Sequence, residues 1–168
     1  MEKLIHFQLD LDAPIQKVWQ SWSTEEGLRS FFSPFINMEL RPGGPFEILF
    51  SMEPPEGSRG AEGMIVLAYK EPEFLAFTWN APPTLPDVRS HMTHVTIRLT
   101  PLNAERTRLD FKEDGFAEGG QWDERMEYFQ RAWGHVVLPR LALSLAEGPV
   151  DWEAEIDLEP YRRLVKAV

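Results

Sequence analysis

The stretch QWDERMEYFQRAWGHVVLPRLALSL, residues 121–145, carries a long helical pattern. Its apolar residues recur at alternating spacings of four and three: Trp122, Met126, Phe129, Trp133, Val136, Val137, Leu141 and Leu145. Such a stripe forms one apolar face of a helix, and this face needs a large apolar surface to pack against. A curved antiparallel sheet built from the preceding strands is the partner that the sequence offers.

Two residues interrupt this helical pattern. Pro139 has no N–H to donate to the carbonyl of His135, and its ring crowds that turn, so we expect a bend between about Gly134 and Pro139. The alternative is a second helix that begins at Pro139. The apolar stripe continues from Trp133 to Leu141, which favours one bent helix. Gly134 also allows the sheet or a ligand to approach the helix backbone closely.

The N-terminal part predicts one strand and two short helices. Residues 5–11 alternate between apolar and polar, which is typical of a strand with one buried face. Pro14 is well placed as the first residue of a helix. Ser23 and Glu26 match a capping box, so we expect a second short helix to begin there.

Further strands are predicted by six runs separated by turn-forming residues: 36–40, 46–52, 64–69, 74–79, 91–100 and 107–113. Short links between successive strands indicate an antiparallel meander. One link, residues 80–87, holds three prolines and is either a rigid connector or the rim of an opening. The predicted order is therefore β-α-α-β6-α, an α+β fold in which a curved sheet wraps around the long C-terminal helix.

Composition excludes several classes of function. The net charge of −10 opposes non-specific binding to nucleic acid or to an anionic membrane surface. The chain has no cysteine, which rules out disulfides, thiolate nucleophiles and cysteine-ligated metals. The N-terminus lacks the apolar run of a signal peptide or a membrane span, so we expect a cytoplasmic protein without membrane insertion.

The motifs of easily recognised enzymes are also missing. The four histidines are His6, His91, His94 and His135. His91 and His94 lie three residues apart and face opposite sides of a strand, so no histidine metal site is expected. Neither a G-x-S-x-G nucleophile motif nor a nucleotide-binding loop occurs. The sequence therefore predicts no metal and no cofactor.

Several phrases in one order point to a known family: DAPIQKVWQSWSTEEGLRSFF (12–32), RPGGPFEI (41–48), PEFLAFTW (72–79), SHMTHVTIRLTP (90–101), TRLDFKEDGF (107–116) and the Trp133 helix. Over about residues 3–147 the chain resembles the single-domain bacterial homologues of the activator of heat-shock-protein-90 ATPase, in the START-like or SRPBCC superfamily. The resemblance implies a helix-grip fold with a cavity that often holds an apolar or amphipathic ligand. It does not imply one reaction.

The same resemblance suggests how the chain is divided. We expect a helix-grip domain over residues 1–148 and a C-terminal extension over residues 149–168. Pro160 is expected to open a short helix in the extension. We expect this extension to cover the sheet edge, to plug the cavity or to contact a second subunit.

Alternation along two long strands assigns their faces. Val95 and Ile97 point inward, and Phe111 carries Glu113 inward with it. An inward carboxylate could orient a ligand or act as an acid or base with a raised pKa, whereas the alternative is a strand-end glutamate that reaches solvent or pairs with an arginine. His91 lies on the same inward face of its strand. If the two strands pair, His91 is expected near Glu113, with an uncertainty of about two residues in the pairing register. These two are the candidate catalytic residues.

The aromatic residues are the main signal for binding. The residues predicted to line a cavity are Phe31, Phe32, Phe50, Phe77, Trp79, Val95, Ile97, Phe111, Glu113, Phe129 and Trp133. Each aromatic buries about 150–250 Å², so the set either fills the interior or walls a pocket. We expect a protein that binds a small apolar or amphipathic molecule. The alternatives are a cyclase, dehydratase or hydrolase-type enzyme, and a chaperone-associated or stress-response interaction protein.

Overall fold

An antiparallel sheet of six strands forms the centre of the computed structural model, which describes residues 2–168. The strands are β1 (Ile5–Leu11), β2 (Phe35–Met38), β3 (Phe46–Leu49), β4 (Val66–Lys70), β5 (Phe74–Trp79), β6 (Thr93–Asn103), β7 (Arg106–Asp114) and β8 (Lys166–Ala167). The order in the sheet is β4-β5-β6-β7-β1-β8, and β2 and β3 form a separate antiparallel pair. The predicted antiparallel sheet is confirmed.

Helices pack against this sheet. They are α1 (Ile15–Ser23), α2 (Glu25–Arg29), α3 (Gln121–Arg131), α4 (Leu138–Glu147) and α5 (Glu159–Arg162). A π-helical segment, Ala132–Val137, joins α3 to α4, so residues 121–147 form one C-terminal helix. This arrangement is the helix-grip fold that the sequence predicts.

The inward faces of β6 and β7 are those that the alternation predicts. Leu99 pairs with Leu109, and Val95 pairs with Glu113. These four side chains are at most 4% exposed, since they face the C-terminal helix and the core.

The start of α2 differs from the prediction by one residue. Thr24, not Ser23, is the N-cap, and its Oγ1 accepts a hydrogen bond from the N–H of Gly27 at 2.9 Å. Ser23 is still the last residue of α1, whereas Thr24 has extended backbone angles (φ −133°, ψ 152°). The predicted Ser23–Glu26 capping box is therefore wrong, because the chain leaves α1 one residue later.

The interruption of the C-terminal helix is a π-helical turn rather than a second helix. The backbone stays helical at both ends of the segment, at Ala132 (φ −58°, ψ −48°) and Leu138 (φ −66°, ψ −40°). The N–H of Leu138 donates to the carbonyl of Trp133, five residues earlier. The carbonyl of His135, which Pro139 cannot satisfy, accepts a hydrogen bond from Arg162 Nε at 3.0 Å. A side chain of the C-terminal extension thus supplies the donor that Pro139 lacks.

Gly134 lies against the sheet. A Cβ added to it would come within 2.8 Å of Cζ of Phe7 on β1. The close approach that the sequence predicts at this glycine is therefore made by a sheet side chain.

We expect Gly134→Val to lower the free energy of unfolding by about 1–2 kcal/mol, because Phe7 has to move away from the new side chain. Urea denaturation measures the loss. Ala146→Val, at an exposed position of α4, is the matched control and costs less than about 1 kcal/mol through helix propensity. Equal losses in the two variants would contradict the packing role of Gly134.

The C-terminal extension folds back on its own chain. The N–H of Val150 donates to the carbonyl of Ser30 at 2.8 Å, and Trp152 Nε1 donates to the carbonyl of Arg29 at 3.0 Å. Strand β8 then pairs with β1, with Ala167 opposite Phe7. The extension thus covers an edge that β1 would otherwise expose.

Candidate functional site

A pocket of about 390 Å³ opens beside the π-helical segment. Its walls come from Phe32, residues 50–51 and 58–60, residues 79–83 with Arg89, and the C-terminal helix between Tyr128 and Arg140. The proline-rich segment 80–87 therefore contributes to the rim, through Asn80 to Pro83.

The inner wall of this pocket is made of aromatic side chains. The ring centroids of Trp79 and Trp133 lie 5.1 Å apart, and Phe32 lies 5.7 Å from Trp79 and 5.6 Å from Trp133. These three side chains are at most 3% exposed. Phe50 is 51% exposed and lies 6.2 Å from Phe32, so it lies where the pocket meets solvent.

The predicted lining residues divide into two groups. Those that line the pocket are Phe32, Phe50, Trp79, Phe129 and Trp133. Those that are buried but lie outside its lining are Phe31, Phe77, Val95, Ile97, Phe111 and Glu113. Phe77, for example, stacks on Phe46 at 3.9 Å. The aromatic set thus fills the core and also walls a pocket at one end of it.

Glu113 is fully buried behind the pocket wall. Its Oε1 accepts a hydrogen bond from Thr93 Oγ1 at 2.9 Å, and its Oε2 accepts one from Trp133 Nε1 at 3.0 Å. Burial raises the pKa of Glu113 to about 7, although these hydrogen bonds and the charge of Arg125 act in the opposite direction. The alternative expected from the sequence, that Glu113 is a strand-end glutamate that reaches solvent, is therefore wrong.

The predicted neighbourhood of His91 and Glu113 does not form. Strand β6 begins at Thr93, so His91 lies before the sheet and is exposed. Its ring centroid is 5.7 Å from that of Trp122. Thr93 takes the place beside Glu113, because the inward parity of the strand does not extend to residues that precede the sheet.

Arg125 is a buried residue of the site that the sequence reading missed. Its Nη1 donates to the carbonyls of Val88 at 2.9 Å and His91 at 2.6 Å. Its Nη2 donates to the carbonyl of Trp79 at 3.1 Å and to Thr93 Oγ1 at 3.0 Å. Burial lowers the pKa of Arg125 to about 10, against the opposing effect of the Glu113 charge. A sequence signal was present, because Arg125 lies four residues before Phe129, on the inward stripe of the helix.

This buried polar cluster, made of Thr93, Glu113 and Arg125, positions the two tryptophans of the pocket. Glu113 holds the indole N–H of Trp133, and Arg125 holds the main chain of Trp79. Trp79 Nε1 itself is buried and has no hydrogen-bond partner among residues 2–168. The pocket wall is thus held from behind, and one of its two indoles has an unused donor.

The described part of the chain offers no metal-binding cluster. Residues 2–168 contain no group of three or more histidine, cysteine, aspartate or glutamate side chains placed to hold a metal ion. No helix among these residues has the length and apolar character needed to cross a membrane.

Residues 12–144, most of the chain, match the family model of the activator of Hsp90 ATPase homolog 1-like proteins. The chain belongs to this family. Among curated proteins, none matches its sequence.

Solved structures similar to this family member share its fold at low sequence identity. DynU16, from the dynemicin biosynthetic locus, is 16% identical with a TM-score of 0.63; the match covers 89% of this chain and only 49%, about half, of DynU16. CalU16 from Micromonospora echinospora is 18% identical with a TM-score of 0.65, over 96% of this chain and 83% of CalU16. The Aha1 dimer from Colwellia psychrerythraea is 16% identical with a TM-score of 0.65, over 87% and 98% of the two chains.

Proposed function

We propose that this protein binds a small apolar or amphipathic molecule in the pocket beside the π-helical segment. The observation that carries the proposal is an open pocket of about 390 Å³ with a buried aromatic wall. Small-molecule sites have volumes of about 300–1,000 Å³ and are lined mainly by apolar and aromatic groups with a few polar ones. This volume suits a one- or two-ring aromatic molecule or a short acyl chain.

The wall is preorganised for such a ligand. The indole of Trp133 is held by Glu113, the main chain of Trp79 is held by Arg125, and both side chains are buried, so little ordering of the wall is needed when a ligand enters. Burial of the apolar part of the ligand supplies most of the binding energy.

The two other functions considered from the sequence have less support. Catalysis by Glu113 needs contact with a substrate, but its two oxygens bind Thr93 and Trp133, and it does not line the pocket. No particular contact favours a chaperone-associated role. The Aha1 structure shares 16% sequence identity with this chain, and this similarity supports the fold alone.

Calorimetric titration with naphthalene-2-acetamide, a neutral two-ring probe, tests the proposal. We expect a dissociation constant below about 1 mM, which corresponds to about −4 kcal/mol. Val136→Trp places a large side chain on the pocket wall and should weaken binding at least tenfold. Ala146→Trp, at an exposed position outside the pocket, is the matched control. Absence of binding to the wild type, or equal affinity in the two variants, would contradict the proposal.

A further inference from the structure

We propose that the ligand of this pocket is a monoanion, an apolar body with one carboxylate, and that Arg140 binds the carboxylate. The inference rests on the proposed function, because it names the class of molecule that the pocket takes. Its starting point is charge. Three arginines, Arg59, Arg89 and Arg140, line the pocket and no aspartate or glutamate does, although the whole chain has a net charge of −10.

Two of these arginines are already engaged with the protein. Arg89 donates to the carbonyls of Gly57, Gly60 and Ala81, and its Nη2 lies 3.6 Å from an oxygen of Glu62. Arg59 donates through Nε to the carbonyl of Pro54 at 2.8 Å. These bonds hold the loop that forms one side of the pocket. They occupy the donors of the Arg89 guanidinium and one donor of the Arg59 guanidinium.

Arg140 is different, because it has neither a hydrogen-bond acceptor nor an ion-pair partner among residues 2–168. Its Nε is buried without a partner. Its Cζ lies 5.1 Å from the ring centroid of Trp152, and the Trp152 indole is itself held by the carbonyl of Arg29 at 3.0 Å. An aromatic ring stacks on the face of a guanidinium and leaves the in-plane N–H groups available to an acceptor.

An unpaired guanidinium at a largely apolar pocket is costly. Burial lowers the pKa of Arg140, because removal from water disfavours the charged form. A carboxylate restores the missing interaction and matches the planar donors of arginine in two parallel hydrogen bonds. A single unengaged guanidinium favours one negative charge, and the aromatic wall favours an apolar body beside it. A dianion such as a phosphate monoester would keep one negative charge that Arg140 does not balance.

The test compares two nearly isosteric ligands, naphthalene-2-acetate and naphthalene-2-acetamide, by calorimetry at constant ionic strength. The wild type should bind the acetate about 10- to 100-fold more tightly than the amide, since a hydrogen-bonded charge pair is a strong contact. Arg140→Gln should reduce this preference to about twofold, chiefly by weakening the binding of the acetate. Arg140→Lys keeps the positive charge without the planar donors, so it should show a preference for the acetate between those of the wild type and Arg140→Gln.

Arg131→Gln is the matched control, because it removes the same charge from an exposed position of the same helix, outside the pocket. It should keep the preference of the wild type. Equal affinity of the wild type for the two ligands would overturn the inference and leave the proposed function standing. Loss of the preference in Arg59→Gln but not in Arg140→Gln would overturn the assignment to Arg140. Binding of neither ligand would overturn the proposed function, and the inference with it.

Discussion

Replacement of Arg125 by methionine lowers the free energy of unfolding by about 3–5 kcal/mol, the largest effect expected here for a single substitution. The substitution removes a charged donor from the carbonyls of Trp79, Val88 and His91, and the Val88 carbonyl keeps only the N–H of His91 at 3.1 Å. It also removes the positive charge that partly compensates buried Glu113. Hydrogen bonds to a charged group contribute about 1.5–3 kcal/mol each, so their loss outweighs any packing gain from methionine.

Urea denaturation at neutral pH measures this loss, with Arg131→Met as the control. Arg131 lies on the same helix but is exposed, so its replacement should change the free energy of unfolding by less than about 0.5 kcal/mol. Because Arg125 holds the main chain of Trp79, the variant should also change the tryptophan fluorescence of the native state. A loss below about 1 kcal/mol in Arg125→Met would show that the cluster does not support this end of the fold.

Replacement of Glu113 by glutamine removes a dependence of stability on pH. The folded-state pKa of Glu113 is about 7, above the ordinary value of 4.5. The native protein therefore holds this proton more tightly than the unfolded chain. The contribution to stability is fully present below pH 4.5 and is lost as the pH rises through 7. This pKa difference corresponds to about 3 kcal/mol.

The difference between two stability curves isolates the effect from other titrating groups. We expect the free energy of unfolding of Glu113→Gln, minus that of the wild type, to increase by about 2–3 kcal/mol between pH 4.5 and pH 8. Asp114→Asn is the control, since Asp114 is the neighbouring strand residue and its side chain is 41% exposed. Its difference curve should vary by less than about 1 kcal/mol. A flat curve for Glu113→Gln would mean that Glu113 ionises normally in the folded protein.

The features that sequence reasoning predicted follow from local periodicity. The inward direction of Val95 and Glu113 follows from the alternation along strands, and the C-terminal helix from its apolar stripe. Pro139 predicted a disturbance because a proline cannot donate to the carbonyl four residues earlier. The form of that disturbance depends on tertiary contacts, of Phe7 with Gly134 and of Arg162 with His135, which no local pattern contains.

The residues that sequence reasoning missed depend on where elements end and on which polar groups meet. His91 was placed beside Glu113 because the predicted strand began two residues too early, and Thr93 occupies that position. Arg125 lies within the apolar stripe, but its acceptors come from the segment before β6 and from the end of β5. Only the folded chain brings these groups together. The sequence left open whether the aromatic residues fill the interior or form the wall of a pocket, because the pocket volume depends on how Trp79 and its neighbours pack.

The most direct test of binding in this pocket is a set of intermolecular nuclear Overhauser effects between naphthalene-2-acetamide and the methyl groups of the protein. We expect contacts to Val136, Val137 and Ala132, which line the pocket beside Trp133. Ala146 and Val168, which are exposed and lie outside the pocket, should show none. Contacts confined to such exposed methyl groups, or no contacts at a ligand concentration that saturates the calorimetric signal, would contradict a ligand site between the aromatic wall and the C-terminal helix.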